Sequence, residues 1–243
     1  MVFGALKIET FLINNTIEIY CICYTWLDKS LIFYYKRDNV FLNFLKSLDS
    51  TYYCFFIHDL TFDTIVLLKG IGENCTNISW FSKNYTVYWI KFKFSGIEVE
   101  FRCFYKYLPL PLHILSNKIL NKEKFIFPYK ILNEDFLKIG MWQPVQKAFI
   151  KIEDYTSFIN SNGSNLIDIK KYLLTCCKNN VDLLNEIIKE FVHSLKNKNL
   201  NILKNTYSIS SYAVNYYFYK YGNFQKKIPQ NNVCTTHLKR NEQ

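Results

Sequence analysis

Residues 101–109 of this chain read Phe-Arg-Cys-Phe-Tyr-Lys-Tyr-Leu-Pro, and they indicate how the middle of the protein folds. The stretch begins as the second arm of a predicted hairpin, with strands at 86–94 and 97–104 around a Ser-Gly turn. It ends in Leu-Pro, after which apolar residues follow a helical spacing over 112–119. A strand that passes directly into a helix favours a fold in which sheet and helices form separate layers.

The rest of the chain continues this alternation in both directions. Runs of β-branched and aromatic residues predict further strands at 2–8, 16–26, 31–35 and 52–57, with a turn at 14–15. Apolar spacing predicts further helices at 38–50, 62–69, 166–198 and 208–221. This order predicts one α/β domain over residues 1–221, with a mixed sheet flanked by helices. Within it we expect an irregular insertion at 121–165, and beyond it a basic, flexible tail at 222–243.

The composition is skewed toward residues that AT-rich codons encode. The chain has 21 Phe and 19 Tyr but only 7 Gly and 5 Pro among 243 residues. We interpret this as the product of an AT-rich genome, such as an organelle or a plasmid resident in one. An AT-rich nuclear or bacterial genome is the alternative. The hydrophobic share of 49% is enough for a sizeable core and argues against disorder.

The net charge and the spacing of the cysteines indicate the kind of partner and the kind of compartment that the protein has. A net charge of +10 favours a nucleic-acid partner, although AT bias also raises the lysine count and only three arginines are present. The eight cysteines show neither a disulfide framework nor a Cys-x-x-Cys pair, so we expect a reducing compartment. No run reaches the ~18 apolar residues of a membrane span, and no signal peptide precedes the first predicted strand.

Four short segments, taken together in their order along the chain, resemble the motifs of a known protein family. They are GALKIET at 4–10, HDLTFD at 58–63, the stretch at 101–109, and CCKNNV at 176–181. Together they resemble the 3′–5′ exonuclease domain of family B DNA polymerases, of the protein-primed type found on linear mitochondrial plasmids. The resemblance spans residues 3–221 and implies a ribonuclease-H-like fold and a role in DNA replication. It also implies a mitochondrial location and single-stranded DNA or RNA as a partner.

The same resemblance identifies the positions of a two-metal site. In the family, carboxylates of the form Asp-x-Glu, Asp and Tyr-x-x-x-Asp hold two Mg²⁺ ions. Here Glu9 and Asp63 are the remaining candidate ligands, while Lys7, Cys176 and Asn180 stand at degenerate positions. Two carboxylates are too few to hold two divalent cations, so we expect no cofactor and little or no nuclease activity. The chain would then be a pseudoenzyme.

Three further residues are candidates for nucleic-acid contact. Arg102 and Lys106 fall in register with the family segment that follows its second motif, and Phe62 matches within that motif. Asp59 departs from the Asn that the family carries there. The structural alternative is that Asp59 and Asp63 only cap and charge the start of a helix. Likewise, Lys7 and Glu9 would be no more than the polar face of a strand.

Two hypotheses of function remain open. The chain is either a fragment or derivative of a family B polymerase, or a non-enzymatic organellar protein for nucleic-acid binding or assembly. No palm-domain motif is visible in the sequence, so we expect no polymerase palm domain in this chain. If the exonuclease resemblance holds, Glu9 and Asp63 should lie together, with Lys7 and Asn180 lining the same cavity. We further expect Lys7 to act as a counter-ion in place of the metal.

Overall fold

The computed structural model describes residues 3–13, 16–27, 29–34, 39–124, 141–142, 167–195 and 206–221. Its strands are β1 (Gly4–Ile13), β2 (Thr16–Trp26), β3 (Lys29–Tyr34), β4 (Tyr52–Ile57), β5 (Thr76–Lys83), β6 (Thr86–Phe94), β7 (Ile97–Cys103), β8 (Met141–Trp142) and β9 (Ile167–Asp168). Its helices are α1 (Val40–Lys46), α2 (Leu60–Asn74), α3 (Leu112–Leu115), α4 (Ile169–Ser194) and α5 (Ile209–Tyr221). A 3₁₀ turn covers Phe104–Lys106 and a π-helical turn covers Ser116–Leu120.

The main sheet is mixed, as the sequence predicts. It contains seven strands in the order β3-β2-β1-β4-β7-β6-β5, and β8 pairs with β9 in a separate ladder. Strand β2 pairs antiparallel with both β1 and β3, and β6 pairs antiparallel with both β5 and β7. Strand β4 runs parallel to β7. The predicted α/β class with a mixed sheet flanked by helices is therefore confirmed.

The chain forms two compact units that interleave along the sequence. The β4–β7 unit consists of residues 1–4, 47–111 and 188–243, and the β1–β3 unit consists of residues 5–46 and 112–187. Each unit is assembled from separated stretches of chain. No single cut in the sequence can therefore separate them, and the single domain predicted for residues 1–221 stays a prediction.

The β1–β3 unit buries aromatic and sulfur-containing side chains. The middle of β2, from Tyr20 to Tyr24, is buried, and the ring of Phe44 on α1 lies 5.4 Å from the ring of Tyr24. Apolar positions 41, 44 and 45 of α1 point inward because they share one face of the helix. Helix α4 contributes a second buried face through Cys176, Cys177, Val181 and Leu184. The Cys177 Sγ atom lies 4.0 Å from the Lys7 carbonyl oxygen, so this helix face contacts β1.

The β4–β7 unit has a fully buried central strand. Tyr53 to Ile57 are almost completely buried, and this uninterrupted apolar run is typical of a strand that pairs in parallel. The ring of Phe56 lies 5.3 Å from the ring of Phe104 and 5.4 Å from that of Tyr107. The stretch at 101–109 therefore delivers its aromatic side chains to the core directly after β7 ends.

The predicted elements agree with the structure at most places. The hairpin turn at Ser95 and Gly96 is confirmed, with φ angles of 48° and 85° that suit a tight turn between antiparallel strands. Strand β1 is longer at its carboxyl end than predicted, and α4 is shorter at both ends. The helix predicted at 112–119 is confirmed as helical winding, α-helical over Leu112–Leu115 and π-helical over Ser116–Leu120, with Asn121 as its C-cap.

Strand β5 was not predicted. It is an edge strand with exposed and half-exposed residues, and β6 supplies its hydrogen bonds, so it lacks the apolar signal of a buried strand. The turn predicted at 14–15, most of the insertion at 121–165 and the tail at 222–243 lie outside the described residues. None of the helices in the described ranges combines the length and apolar character that a membrane-crossing helix needs.

Candidate functional site

Lys7 and Glu9 share one face of β1, as the alternation of side chains along a strand predicts. The Lys7 Nζ atom lies 3.8 Å from the Glu9 Oε1 atom. Glu9 is only 4% exposed, whereas Lys7 is 29% exposed, so the pair is open to solvent on the lysine side. The strand therefore presents a cation beside a buried carboxylate.

Helix α4 covers this face with buried sulfur and amide groups. The Cys177 Sγ atom lies 4.0 Å from the Lys7 carbonyl oxygen, which fixes the helix close to the strand. Asn180 follows three residues later, close to one helical turn, and is 1% exposed. Within the described part of the chain, neither the Asn180 side-chain nitrogen nor its oxygen has a hydrogen-bond partner. A buried amide of this kind costs about 1–3 kcal/mol unless a partner reaches it.

Lys124 is a third charged group of this site, and sequence reasoning missed it. Burial, followed by the positive charge of Lys7, lowers the pKa of Lys124 from its ordinary value. The Glu9 carboxylate and the Cys176 thiol act in the opposite direction. Lys124 lies in the predicted insertion, where neither periodicity nor a motif marks it. Lys124 is therefore within electrostatic range of Lys7 and Glu9.

The residues of this face do not fit a pair of divalent metal ions. In the described ranges, no group of three or more His, Cys, Asp or Glu side chains is placed to hold a metal. Lys7 adds a cation where a divalent ion needs an anion, and Asn180 carries no charge. The first and last positions of the expected ligand set are thus a cation and a neutral amide.

Asp63 lies in the first turn of α2 and is 5% exposed. The helix begins at Leu60, and its N-cap is Asp59, whose Oδ1 accepts a hydrogen bond of 3.2 Å from the Thr61 N–H. The capping interpretation of Asp59 is therefore confirmed. Asp63 belongs to the β4–β7 unit, and the proximity to Glu9 that the resemblance implies stays a prediction.

Phe62 and Lys106 lie near the surface of the β4–β7 unit. Phe62 is 54% exposed on the first turn of α2, next to Thr61, whose Oγ1 accepts a hydrogen bond of 3.2 Å from the Val87 N–H. That bond ties the start of α2 to the start of β6. The Lys106 Nζ atom lies 4.9 Å from the centre of the Tyr88 ring on the same strand.

Tyr105 adds a third aromatic ring to this surface and contacts the ring of His58. The His58 ring lies 5.9 Å from the Tyr105 ring, and the Tyr105 N–H donates a hydrogen bond of 2.9 Å to the His58 carbonyl oxygen. Tyr105 is 38% exposed. We call Phe62, Tyr88, Tyr105 and Lys106 the aromatic–lysine surface. It combines aromatic rings, which can stack on bases, and a lysine ammonium group, which can contact phosphate.

Arg102 occupies a different environment from the one that the sequence predicts. Its side chain is 1% exposed, its Nε donates a hydrogen bond of 2.7 Å to Glu100, and its Nη1 donates one of 3.3 Å to the Thr206 carbonyl oxygen. Its guanidinium also lies 4.7 Å from the centre of the Tyr207 ring. A buried guanidinium with these partners is not presented to a strand on the surface. We therefore correct the predicted nucleic-acid contact of Arg102 to a structural role.

Glu100 collects several donors around Arg102. The Tyr52 hydroxyl donates a hydrogen bond of 2.8 Å to Glu100, and the Lys91 Nζ lies 3.5 Å from the same carboxylate. Burial disfavours the Lys91 ammonium, but the Glu100 carboxylate and the Tyr207 side chain together outweigh it, so the pKa of Lys91 is raised from its ordinary value. The alternating Glu-Val-Glu-Phe-Arg pattern of β7 was a usable signal, because it places positions 100 and 102 on one face.

The described elements define an α/β protein with a mixed seven-stranded sheet flanked by helices. Among solved structures, the chain is similar to phi29 DNA polymerase in complex with single-stranded DNA, with 14% identity and a TM-score of 0.55 over 88% of this chain and 34% of the polymerase. It is also similar to phi29 DNA polymerase with primer–template DNA, with 14% identity and a TM-score of 0.56 over 90% and 35%.

The chain spans about a third of the length of these polymerases. At this identity the similarity concerns the fold, and it confirms the predicted fold class. No family model matches the chain. No curated protein matches it either.

Proposed function

We propose that this chain is a derivative of the 3′–5′ exonuclease domain of a family B DNA polymerase that binds single-stranded nucleic acid and has lost two-metal cleavage. The observation that carries the proposal is the ion pair between Lys7 and Glu9. It lies on β1 at the pair of positions where the resemblance implies two metal-binding carboxylates. The fold similarity to a DNA polymerase supports the same conclusion.

The loss of cleavage follows from the charges of this face. Two-metal phosphodiester cleavage needs one cation to activate a water and another to stabilise the leaving oxygen. An ammonium 3.8 Å from Glu9 competes for the carboxylate and repels a divalent ion, and the neutral Asn180 supplies no compensating anion. A lysine cannot replace either metal, because it binds no activated water.

Nucleic-acid binding is supported by the aromatic–lysine surface. Phe62 and Tyr105 expose their rings, and Lys106 lies over Tyr88. Aromatic rings stack with bases of any sequence, while lysines contact the backbone. The solved phi29 polymerase structures contain single-stranded and primer–template DNA, and the net charge of +10 suits the same partner.

A protein partner in a larger assembly is the second candidate. Helix α5 exposes several large side chains: Val214 is 48% exposed, Tyr217 59%, Phe218 40% and Tyr219 66%. An apolar helix face of this kind is typical of an interaction surface. We extend the proposal to a mitochondrial location, which cell fractionation with an antibody against the chain would test.

The first prediction concerns cleavage. Purified protein should bind a fluorescent single-stranded oligonucleotide in EDTA and should not degrade it when Mg²⁺ or Mn²⁺ is added, because the metal ligands are incomplete. Fluorescence anisotropy and gel electrophoresis measure the two properties on the same sample. A matched variant that carries both Lys7→Asp and Asn180→Asp supplies carboxylates at the degenerate positions. Robust metal-dependent degradation by the unmodified chain, abolished by Glu9→Ala, would contradict the proposal.

A further inference from the structure

A β-bulge in β6 changes the direction of one side chain of the aromatic–lysine surface. Phe81 of β5 pairs with Trp89 of β6, but the next pair of the ladder skips Tyr88, which is therefore an extra residue in β6. In a regular ladder the side chain before Trp89 would point to the face opposite that of Phe81. Instead, the ring centres of Tyr88 and Phe81 lie 5.2 Å apart. Bulges of this kind re-aim side chains and are frequent next to functional sites.

The Tyr88 ring connects Lys106 with the edge of the sheet. The Lys106 Nζ atom lies 4.9 Å from the centre of the Tyr88 ring, which in turn contacts the Phe81 ring. Tyr105, the residue before Lys106, is 38% exposed, and Tyr88 and Phe81 are both half-buried. All four residues belong to the β4–β7 unit. We call Tyr105, Lys106, Tyr88 and Phe81 the stacking band.

The stacking band crosses the sheet from the end of β7 over β6 to β5. Strand β5 is the last strand of the seven-stranded sheet, so the band ends at a sheet edge. Along the band, three aromatic rings alternate with one ammonium group. Aromatic rings stack on the faces of bases, and a lysine contacts the phosphates between them. The order of these groups therefore suits an extended strand of nucleotides.

We propose that the stacking band is the path of a single-stranded nucleic acid, and that Phe81 is a further base-stacking residue at its far end. The inference rests on the proposed function for the class of ligand. Tyr105, Tyr88 and Phe81 each stack on one base, so a strand of about three nucleotides spans the band. In a duplex the neighbouring bases cover the faces that these rings need, so the band selects unpaired bases.

Phe81→Leu tests the role of the new residue. It removes a ring and no charge, so it should weaken the binding of a fluorescent oligo-dT of about twelve nucleotides about fivefold or more. Phe81→Tyr keeps the ring and should bind within about twofold of the unmodified chain. Trp80→Leu is the matched control, because Trp80 is also half-buried on β5 but points to the opposite face. Fluorescence anisotropy measures the affinities.

The length of the strand provides a readout that a purely structural role of Phe81 would not change. For the unmodified chain, affinity measured by competition should rise steeply up to about three nucleotides and slowly beyond. In Phe81→Leu the steep rise should end about one nucleotide earlier. Urea unfolding shows whether each variant is folded. A loss of affinity by the same factor at every length, or an equal loss in Trp80→Leu, would overturn the inference.

The same titrations separate the stacking band from the proposed function. Binding that Phe62→Ala weakens and Phe81→Leu leaves unchanged would overturn the path over β5 and support the proposed function. No binding by the unmodified chain would overturn both. Equal affinity for oligo-dT and for the same strand annealed to oligo-dA would overturn selection of unpaired bases. Selective binding of the single strand, weakened by Phe81→Leu and retained in Phe81→Tyr, is the expected result.

Discussion

At the scale of single residues, Lys7 and Glu9 decide what the β1 face can do. The alternation of a strand makes their shared face predictable from the sequence, and the 3.8 Å contact confirms it. The sequence could not predict how far each would be buried, because that depends on α4 and on the segment that carries Lys124. Glu9 is buried and its neighbour is a lysine, so its charge has a counter-ion within the chain.

The second prediction follows from this pair. Lys7→Met leaves the Glu9 carboxylate buried beside an apolar side chain, and it should lower the free energy of unfolding by about 1–2 kcal/mol at pH 7. In the variant the folded state favours the protonated carboxyl more than the unfolded state does. Its stability should therefore fall as pH rises, and part of the loss should return near pH 5.

Urea unfolding at pH 7 and pH 5 measures this difference. Lys178→Met is the matched control, because Lys178 forms an exposed i,i+4 pair with Asp182 on α4 and should change stability by at most about 0.5 kcal/mol. Equal midpoints for Lys7→Met and the unmodified chain at both pH values would refute the counter-ion role of Lys7. We also expect the Lys7 ammonium group to lie near the Asp63 carboxylate, and this stays a prediction.

At the scale of elements, β7 connects the sheet to α5. Arg102 and the Tyr107 hydroxyl both donate hydrogen bonds to the Thr206 carbonyl oxygen, directly before α5 begins. Glu100 holds Arg102 in place through a hydrogen bond of 2.7 Å. The stretch that indicates the fold in the sequence therefore also fixes the last described helix.

The third prediction concerns Glu100. Glu100→Gln leaves Arg102 buried without its carboxylate, which should lower the free energy of unfolding by about 3–5 kcal/mol. Amide exchange in α5 should accelerate, because Arg102 would no longer be held toward Thr206. Glu98→Gln on the same strand is the control, since Glu98 is only half-buried. A loss no larger than that of the control would show that Glu100 does not organise this contact.

An element could be predicted from the sequence when its own residues carry the pattern that forms it, and not when a neighbouring element imposes its conformation. Strand β4 and helix α4 carry their own apolar pattern, so the sequence reveals both. Strand β5 takes its order from pairing with β6, and the π-helical turn at Ser116–Leu120 has no periodicity of its own. The family resemblance predicts that Arg102 contacts nucleic acid because it takes no account of Glu100, which lies on the same face of β7 and binds the guanidinium.

At the scale of the whole molecule, the charge and the aromatic content act together. The chain carries a net charge of +10 and 40 phenylalanine and tyrosine residues, the sum of 21 and 19. These are the two ingredients of sequence-tolerant binding to single strands. The composition alone shows the positive charge and the aromatic content, but codon bias raises the number of lysines and of aromatic residues. The evidence for binding is therefore the position of Phe62, Tyr105 and Lys106 near one surface.

The fourth prediction tests this combination. Affinity for a single-stranded oligonucleotide should fall linearly with log salt, and it should be insensitive to base sequence. Phe62→Ala should weaken binding about fivefold or more without changing the salt slope, because it removes a stacking ring and no charge. Tyr85→Ala is the control for a fully exposed aromatic residue on a turn of the same unit. Affinity that does not change with salt would contradict a phosphate-contacting surface.

The interleaving of the two units has a consequence for how the gene can be shortened. The β4–β7 unit needs residues from both 47–111 and 188–221, and the β1–β3 unit needs residues 112–187 as well as its amino-terminal hairpin. A stop codon placed anywhere from residue 112 to residue 187 would therefore leave both units incomplete. A series of terminal truncations of this gene should accordingly report mainly on misfolding, because each truncation that ends in this range removes residues from both units.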